Sequence, residues 1–197
     1  SFRGDIRVAK NEKMSLVEIN EVELEDYIKG VLYHEASHYW PDEILKAQAI
    51  VCRTYALYQM RENNKSDFDV TSDTYSQMYG GSTSERYRTN KVAEETRGEI
   101  LTYQGKIFPA YFHATCAGHT QDASKLWKID IGPLHGVACD FCKGSPHYQW
   151  HATIPQDDFR WSLRKAGYKL KKLKAIEIVD KDESGRITEL KLFDSDK

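Results

Sequence analysis

Apolar and polar positions alternate with two different periods along this chain. Near its start, Ile6-Arg7-Val8 and Leu16-Val17-Glu18-Ile19 alternate with a period of two around Lys10-Asn11-Glu12-Lys13, which predicts a hairpin. The period then lengthens. Leu24, Ile28, Val31 and Leu32 recur at helical spacing, and Glu35 continues the same stripe, so a carboxylate ends an apolar face. Trp40-Pro41 interrupts the pattern, because proline biases the residue before it away from helical geometry. A second helix opens with Pro41, Asp42 and Glu43, a first turn suited to the positive end of a helix dipole. Ile44, Leu45, Ala47, Ala49, Ile50, Val51, Tyr55, Ala56 and Leu57 make it apolar on nearly all sides and predict a buried central helix. Lys46, Gln48 and Arg53 within it must be hydrogen-bonded or directed into a cleft, since an unpaired buried polar group is destabilising.

Further along, residues 61–66 read as a polar loop, Phe68-Asp69-Val70-Thr71 as a short strand and residues 72–81 as a polar segment whose bland reading is a capped turn. A helix over 84–97 should end at Gly98, and strands over 99–103 and 106–113, the second carrying Tyr111, should flank Gln104-Gly105. Residues 122–128 predict a short helix with Trp127, 148–154 a strand, and 155–166 an amphipathic helix. A final hairpin over 173–179 and 186–193 turns at Glu183-Ser184-Gly185. Nothing repeats and no stretch has linker composition, so the fold class expected is α+β in a single compact domain over 1–197, several of its β-hairpins walling a cleft.

Composition narrows this picture in a few ways. A chain of 197 residues fits one domain of ordinary size, and a formal net charge of -2 with a pI near 6.4 leaves no footprint of a nucleic-acid binder. No apolar run is long enough to span a membrane, and Ser1-Phe2-Arg3-Gly4 is no signal peptide, so any export address or membrane anchor would lie outside these residues. The 12 tyrosines and 4 tryptophans can pack a core or stack on sugar rings.

Two patterns suggest metal chemistry. His34-Glu35-Ala36-Ser37-His38 spells H-E-x-x-H, which on a sustained helix would make a zinc protease; Pro41 weighs against it, bending the chain so soon after His38. Cys116-x-x-His119 and Cys139-x-x-Cys142 form a good tetrahedral pattern for a closed, structural zinc, with His113 or His147 able to replace His119. The competing reading is a disulfide from Cys116 to Cys139 or Cys142, favoured in an oxidising compartment, though it leaves one thiol over. Cys52, inside the apolar helix, reads as a small core filler.

The run from Leu24 to Met60, with its L-E-D-Y and G-V, then Glu35, then W-P-x-E-x-L-K-A-Q-A and R-T-Y-A-L, resembles the signature of the SpoIID/LytB family. That is the stage II sporulation protein D type of bacterial peptidoglycan lytic transglycosylase. Asp73, Gln77 and Tyr79 match a later family segment, and Phe2-Arg3-Gly4 and Ser184-Gly185-Arg186-Ile187-Thr188 match at the two ends. The resemblance implies that Glu35 is the catalytic acid. Gln48 and Arg53 would line the cleft, with Arg53 orienting Glu35 or binding a substrate carboxylate, and Asp73, Gln77, Tyr79, Tyr111 and Trp127 would bind substrate. Family members continue beyond such a hairpin into a G-H-G-x-G-M-S-Q segment that these residues do not contain. The implied partners are peptidoglycan glycan strands, outside the cell membrane, and an N-acetylmuramoyl-L-alanine amidase. LytB-type relatives are described as amidase enhancers, so the second implication is a non-catalytic glycan-binding module.

Cleaving a glycosidic bond requires a proton on the leaving oxygen as an oxocarbenium-like centre develops. The family manages this with one carboxyl group, because the sugar's own C6 hydroxyl attacks C1 and leaves a 1,6-anhydro end. For that role Glu35 should be desolvated enough to hold a proton near neutral pH, as its apolar stripe and the neighbouring Tyr33, Tyr39 and Trp40 suggest. The plain alternative is a surface glutamate at a frayed helix end.

Overall fold

The computed structural model describes residues 1–10, 14–63 and 66–194; the expected turn at Asn11-Glu12-Lys13 and part of the polar loop near 64–65 lie outside them. Mixed helix and small sheets make an α+β chain, as the two periods imply. The contacts gather in two units, Ser1–Phe112 and His113–Lys197.

The first unit opens with β1 (Asp5–Lys10) and β2 (Leu16–Glu21), antiparallel from Asp5↔Glu21 to Lys10↔Leu16. Next come α1 (Leu24–Glu35) and α2 (Asp42–Glu62), then α3 (Tyr87–Glu95), whose sides facing one another make the core. Tyr27, Ile28, Val31 and Leu32 of α1 pack with Leu45, Ala49, Cys52 and Ala56 of α2 and with Val92 and Ala93 of α3. The first half of α2 buries one face only, and Ile44 remains exposed; its middle, Cys52 to Ala56, is enclosed. That middle meets Glu25 of α1, Gln77, Ala93 of α3, Glu99 and Leu101.

Some expected strands are absent. Phe68 to Thr71 forms no strand, and Asn63 Nδ2 instead donates to the Asp69 carbonyl. The pair expected over 99–113 shrinks to β3 (Thr102–Tyr103) and β4 (Lys106–Ile107), leaving Tyr111 in irregular chain. The turn between them is as predicted, Gln104 and Gly105 both taking positive φ.

Arg3, ahead of β1, is held by Glu85, ahead of α3, through Nε–Oε1 at 2.6 Å and Nη2–Oε2 at 3.0 Å. The guanidinium, with help from Asn90, keeps the Glu85 carboxyl below its usual range. A carboxyl with a depressed folded pKa contributes stability above its unfolded pKa and loses that contribution as pH falls through the folded value. The melting-temperature difference between the natural chain and Glu85→Gln should therefore be constant near neutrality and vanish only in acid below the normal glutamate range.

The second unit contains α4 (Ala123–Trp127), α5 (Gln156–Lys165) and the antiparallel β5 (Leu173–Lys181) and β6 (Ile187–Asp194). Residues 148–154 are irregular rather than the predicted strand. The final hairpin turns on Asp182, whose carboxylate accepts the N–H groups of Ser184 and Arg186. Arg186 then reaches the carbonyls of His119 (3.0 Å) and Cys116 (3.1 Å), fastening the hairpin tip to the cysteine loop.

Candidate functional site around Glu35

Glu35 is the last residue of α1. The helix stops there because Ala36 turns to extended backbone (φ -144°, ψ 138°) and Trp40 N–H closes a turn on the Ser37 carbonyl at 2.9 Å ahead of Pro41. The carboxylate is half-buried and accepts the backbone N–H of Met78 at 3.2 Å. The segment that presents Met78 lies against α1. The Tyr27 hydroxyl donates to Gln77 Oε1 (3.1 Å), the Tyr79 ring stacks on Tyr27 at 5.2 Å between centroids, and Gly80 N–H donates to the Gly30 carbonyl (3.1 Å). Gly30 allows this approach, since a Cβ there would overlap the Tyr79 ring.

Arg88 shapes the other side of the site. It donates to the carbonyls of His38 (2.8 Å) and Trp40 (2.9 Å) and pairs with Asp42, whose carboxyl it holds below the usual range. This secures the α1–α2 corner and leaves Tyr39 80% exposed. On the facing loop, Asp73 accepts Thr71 Oγ1 and Tyr75 N–H, both at 2.8 Å, and Tyr75 stands out 91% exposed. Beneath, burial pushes the Cys52 thiol up to about 12 and raises the Tyr27 hydroxyl, so both are neutral, the first as a core filler and the second as a donor.

In the second unit the two cysteine loops do meet. Cys139 N–H donates to the Gly118 carbonyl and Thr120 N–H to that of Val137, both at 2.9 Å. Cys116 Sγ and Cys142 Sγ lie 3.0 Å apart; their hydrogen bond lowers the Cys142 thiol to about 7 and raises that of Cys116. His119 Nδ1 is engaged with the Thr120 carbonyl at 2.8 Å. Among the described residues no group of three His, Cys, Asp or Glu side chains converges as a metal site.

The family model of the stage II sporulation protein SpoIID matches residues 12–103, which hold Glu35 and both segments around it. Over 183 residues, 92% of this chain and 50% of the other, it is 36% identical to an uncharacterized protein of Brachyspira hyodysenteriae. It is 29% identical over 186 residues to the stage II sporulation protein D of Bacillus amyloliquefaciens, covering 86% of this chain and 51% of that one. The amidase enhancer of Bacillus subtilis is 34% identical over 127 residues, 64% of this chain and 17% of its own length. The chain belongs to the SpoIID/LytB family. It spans about half the length, or less, of these relatives.

The site residues expected from the SpoIID/LytB resemblance differ in what they touch. Glu35 stands beside the Asp73–Tyr79 segment, as its link to Met78 shows. Arg53 does not line a cleft. It is fully buried, and its guanidinium is committed to both oxygens of Glu25 (2.9 and 2.8 Å) and to the carbonyls of Glu99 and Ala93. Gln77 is 1% exposed and so holds the frame rather than touching a polymer; Gln48, half-buried, donates to Cys52 Sγ at 3.3 Å. Tyr79 is largely occupied with Tyr27 and Phe2, and Asp73 with its own turn. Tyr111 packs near Tyr55, while Trp127 sits exposed on α4 in the other unit. The H-E-x-x-H reading fails on geometry: the helix ends at Glu35, His34 Nε2 shares a 2.7 Å hydrogen bond with Ser84 Oγ, and His38 lies outside α1. Sequence reasoning missed the Met78 N–H, for which a backbone group leaves no signal, and Arg88, which reads as one more surface cation.

Proposed function

We propose that the Glu35 site is that of a peptidoglycan lytic transglycosylase, cutting the β-1,4 bond between N-acetylmuramic acid and N-acetylglucosamine. The observation that carries this reading is the half-buried Glu35 carboxyl group, held by the Met78 N–H between two loops that expose Tyr39 and Tyr75. Exposed tyrosines suit the faces of sugar rings. Glu35 as a carboxylic acid gives its proton to the glycosidic oxygen as the bond to C1 breaks. As the carboxylate it then takes the proton of the C6 hydroxyl while O6 bonds to C1, restoring the acid and leaving a 1,6-anhydro-muramyl end. No water is consumed and no second carboxylate is needed. Peptide-stripped strands are the substrate that the family resemblance implies.

The test is mass spectrometry of glycan strands, with and without stem peptides, after incubation with the chain: 1,6-anhydro ends should appear, faster on stripped strands. A second reading, favoured by the likeness to a protein named amidase enhancer, is that the same surface binds glycan and stimulates an N-acetylmuramoyl-L-alanine amidase. Strands that bind, stay uncut and are degraded faster by an added amidase would establish it. Either role places the protein at the bacterial cell envelope, exported to reach the wall. No helix of the described residues is long and apolar enough to cross a membrane.

For the second unit, a structural zinc on Cys116, His119, Cys139 and Cys142 remains the proposal. His119 Nδ1–H donated to the Thr120 carbonyl leaves Nε2 as the ligand atom, and the two sulfurs, 3.0 Å apart, must part to the roughly 3.8 Å that a tetrahedral zinc demands. Elemental analysis should find close to one zinc per chain, and chelation should lower the melting temperature. Two thiols lost to oxidation without metal would instead identify a disulfide.

A further inference from the structure

Gln77 is almost fully enclosed, yet it precedes by one residue the N–H that meets Glu35. Its carbonyl oxygen takes the Tyr27 hydroxyl at 3.1 Å, and its amide faces the Cys52 carbonyl at 3.5 Å, the outer limit of a hydrogen bond. Tyr27 projects from α1, the helix that Glu35 ends, and Cys52 belongs to α2. The segment after Gln77 is fixed again at Tyr79, by stacking on Tyr27, and at Gly80, by the Gly30 carbonyl. Met78 therefore lies between clamps that both close on α1. A buried amide without its partners would be destabilising, so the register of this segment relative to the helix is set by where Gln77 is satisfied.

We propose that Gln77 and Tyr27 form a positioning pair that registers the Met78 N–H against the Glu35 carboxylate. The pair contacts the active carboxylate only through the backbone and contacts the glycan not at all. This rests on the reading of Glu35 as the acid and base, and it changes what the family resemblance implies for Gln77, from a substrate contact to an internal strut.

The distinction is measurable. In Gln77→Leu and, separately, Tyr27→Phe, kcat on glycan strands should fall about tenfold or more while KM stays within about twofold, because misplacing a catalytic group damages the transition state rather than binding. Hydrogen exchange supplies a readout that does not depend on turnover. The Met78 amide should be protected in the natural chain and exchange about tenfold faster in either variant, with Val31 and Leu32 in the core of α1 unchanged. A rise in KM at constant kcat would overturn the proposal in favour of direct glycan contact. Unchanged Met78 exchange would overturn it as well. If the natural chain releases no anhydro ends, the transglycosylase reading fails, and the exchange comparison still decides whether Gln77 and Tyr27 position Met78.

Discussion

Glu35→Gln should abolish formation of 1,6-anhydro ends, lowering the rate about 10²–10⁴-fold, the range over which a positioned acid or base contributes. The substitution is chosen because it keeps the shape. Its amide oxygen can still accept the Met78 N–H, so the 77–80 segment should stay in place, but the group can neither deliver a proton to the glycosidic oxygen nor take one from the C6 hydroxyl. Glycan binding should survive, since the exposed tyrosines are untouched. Product analysis by mass spectrometry, paired with a strand-sedimentation assay, reads both quantities on one preparation. Anhydro ends from the variant at the natural rate would remove Glu35 from the mechanism. Full stimulation of an amidase by the variant, with no cleavage by the natural chain, would establish the enhancer reading.

Arg53→Ala should be among the most destabilising single changes in the first unit. Arg53 is buried with its charge compensated by Glu25, and three of its guanidinium nitrogens are bonded to Glu25, Glu99 and Ala93. Removing it strands the Glu25 carboxylate, whose side chain is only 14% exposed, and breaking such a pair costs about 3–5 kcal/mol. That is a large fraction of the 5–15 kcal/mol or so by which a domain is stable. Arg53→Lys should recover little, because an ammonium cannot make the two-pronged contact. Replacing both partners by apolar residues, Glu25→Leu with Arg53→Met, should recover only part of the loss, because no unpaired charge remains but the Glu99 and Ala93 carbonyls and the Gly98 N–H lose their partners. Urea unfolding of the four chains checks the series. An Arg53→Ala chain of natural stability that binds glycan poorly would instead return Arg53 to the substrate.

The fate of Arg53 also shows where pattern reading stops. An arginine at a helical position inside an apolar stretch must be satisfied by something, but whether by a cleft, a carbonyl or a carboxylate is not written locally. Its partner Glu25 lies in the first turn of the preceding helix, and Glu99 and Ala93 follow much later in the chain. The short strands failed for a related reason. Phe68 to Thr71 has strand-like residues but is held by side chains, Arg7 on the Asp67 carbonyl and Asn63 on that of Asp69, rather than by a ladder, and strand propensity chiefly measures fit to a neighbouring strand. The H-E-x-x-H pattern failed because two histidines share a face only if the helix continues, and it ends between them.

What the sequence by itself determined was local or periodic. The helix that carries Leu24 to Glu35, the helix behind Pro41, α4, α5, both long hairpins and the Gln104-Gly105 turn all follow from spacing, proline or glycine, each acting within a few residues. The placement of Glu35 at the end of an apolar stripe was legible for the same reason. Only the tertiary structure decided what surrounds that carboxylate. The Met78 N–H, the burial of Gln77 and the enclosure of Arg53 depend on segments distant in sequence meeting in a packed core, and the energies that bring them together belong to the pairings and not to any one residue.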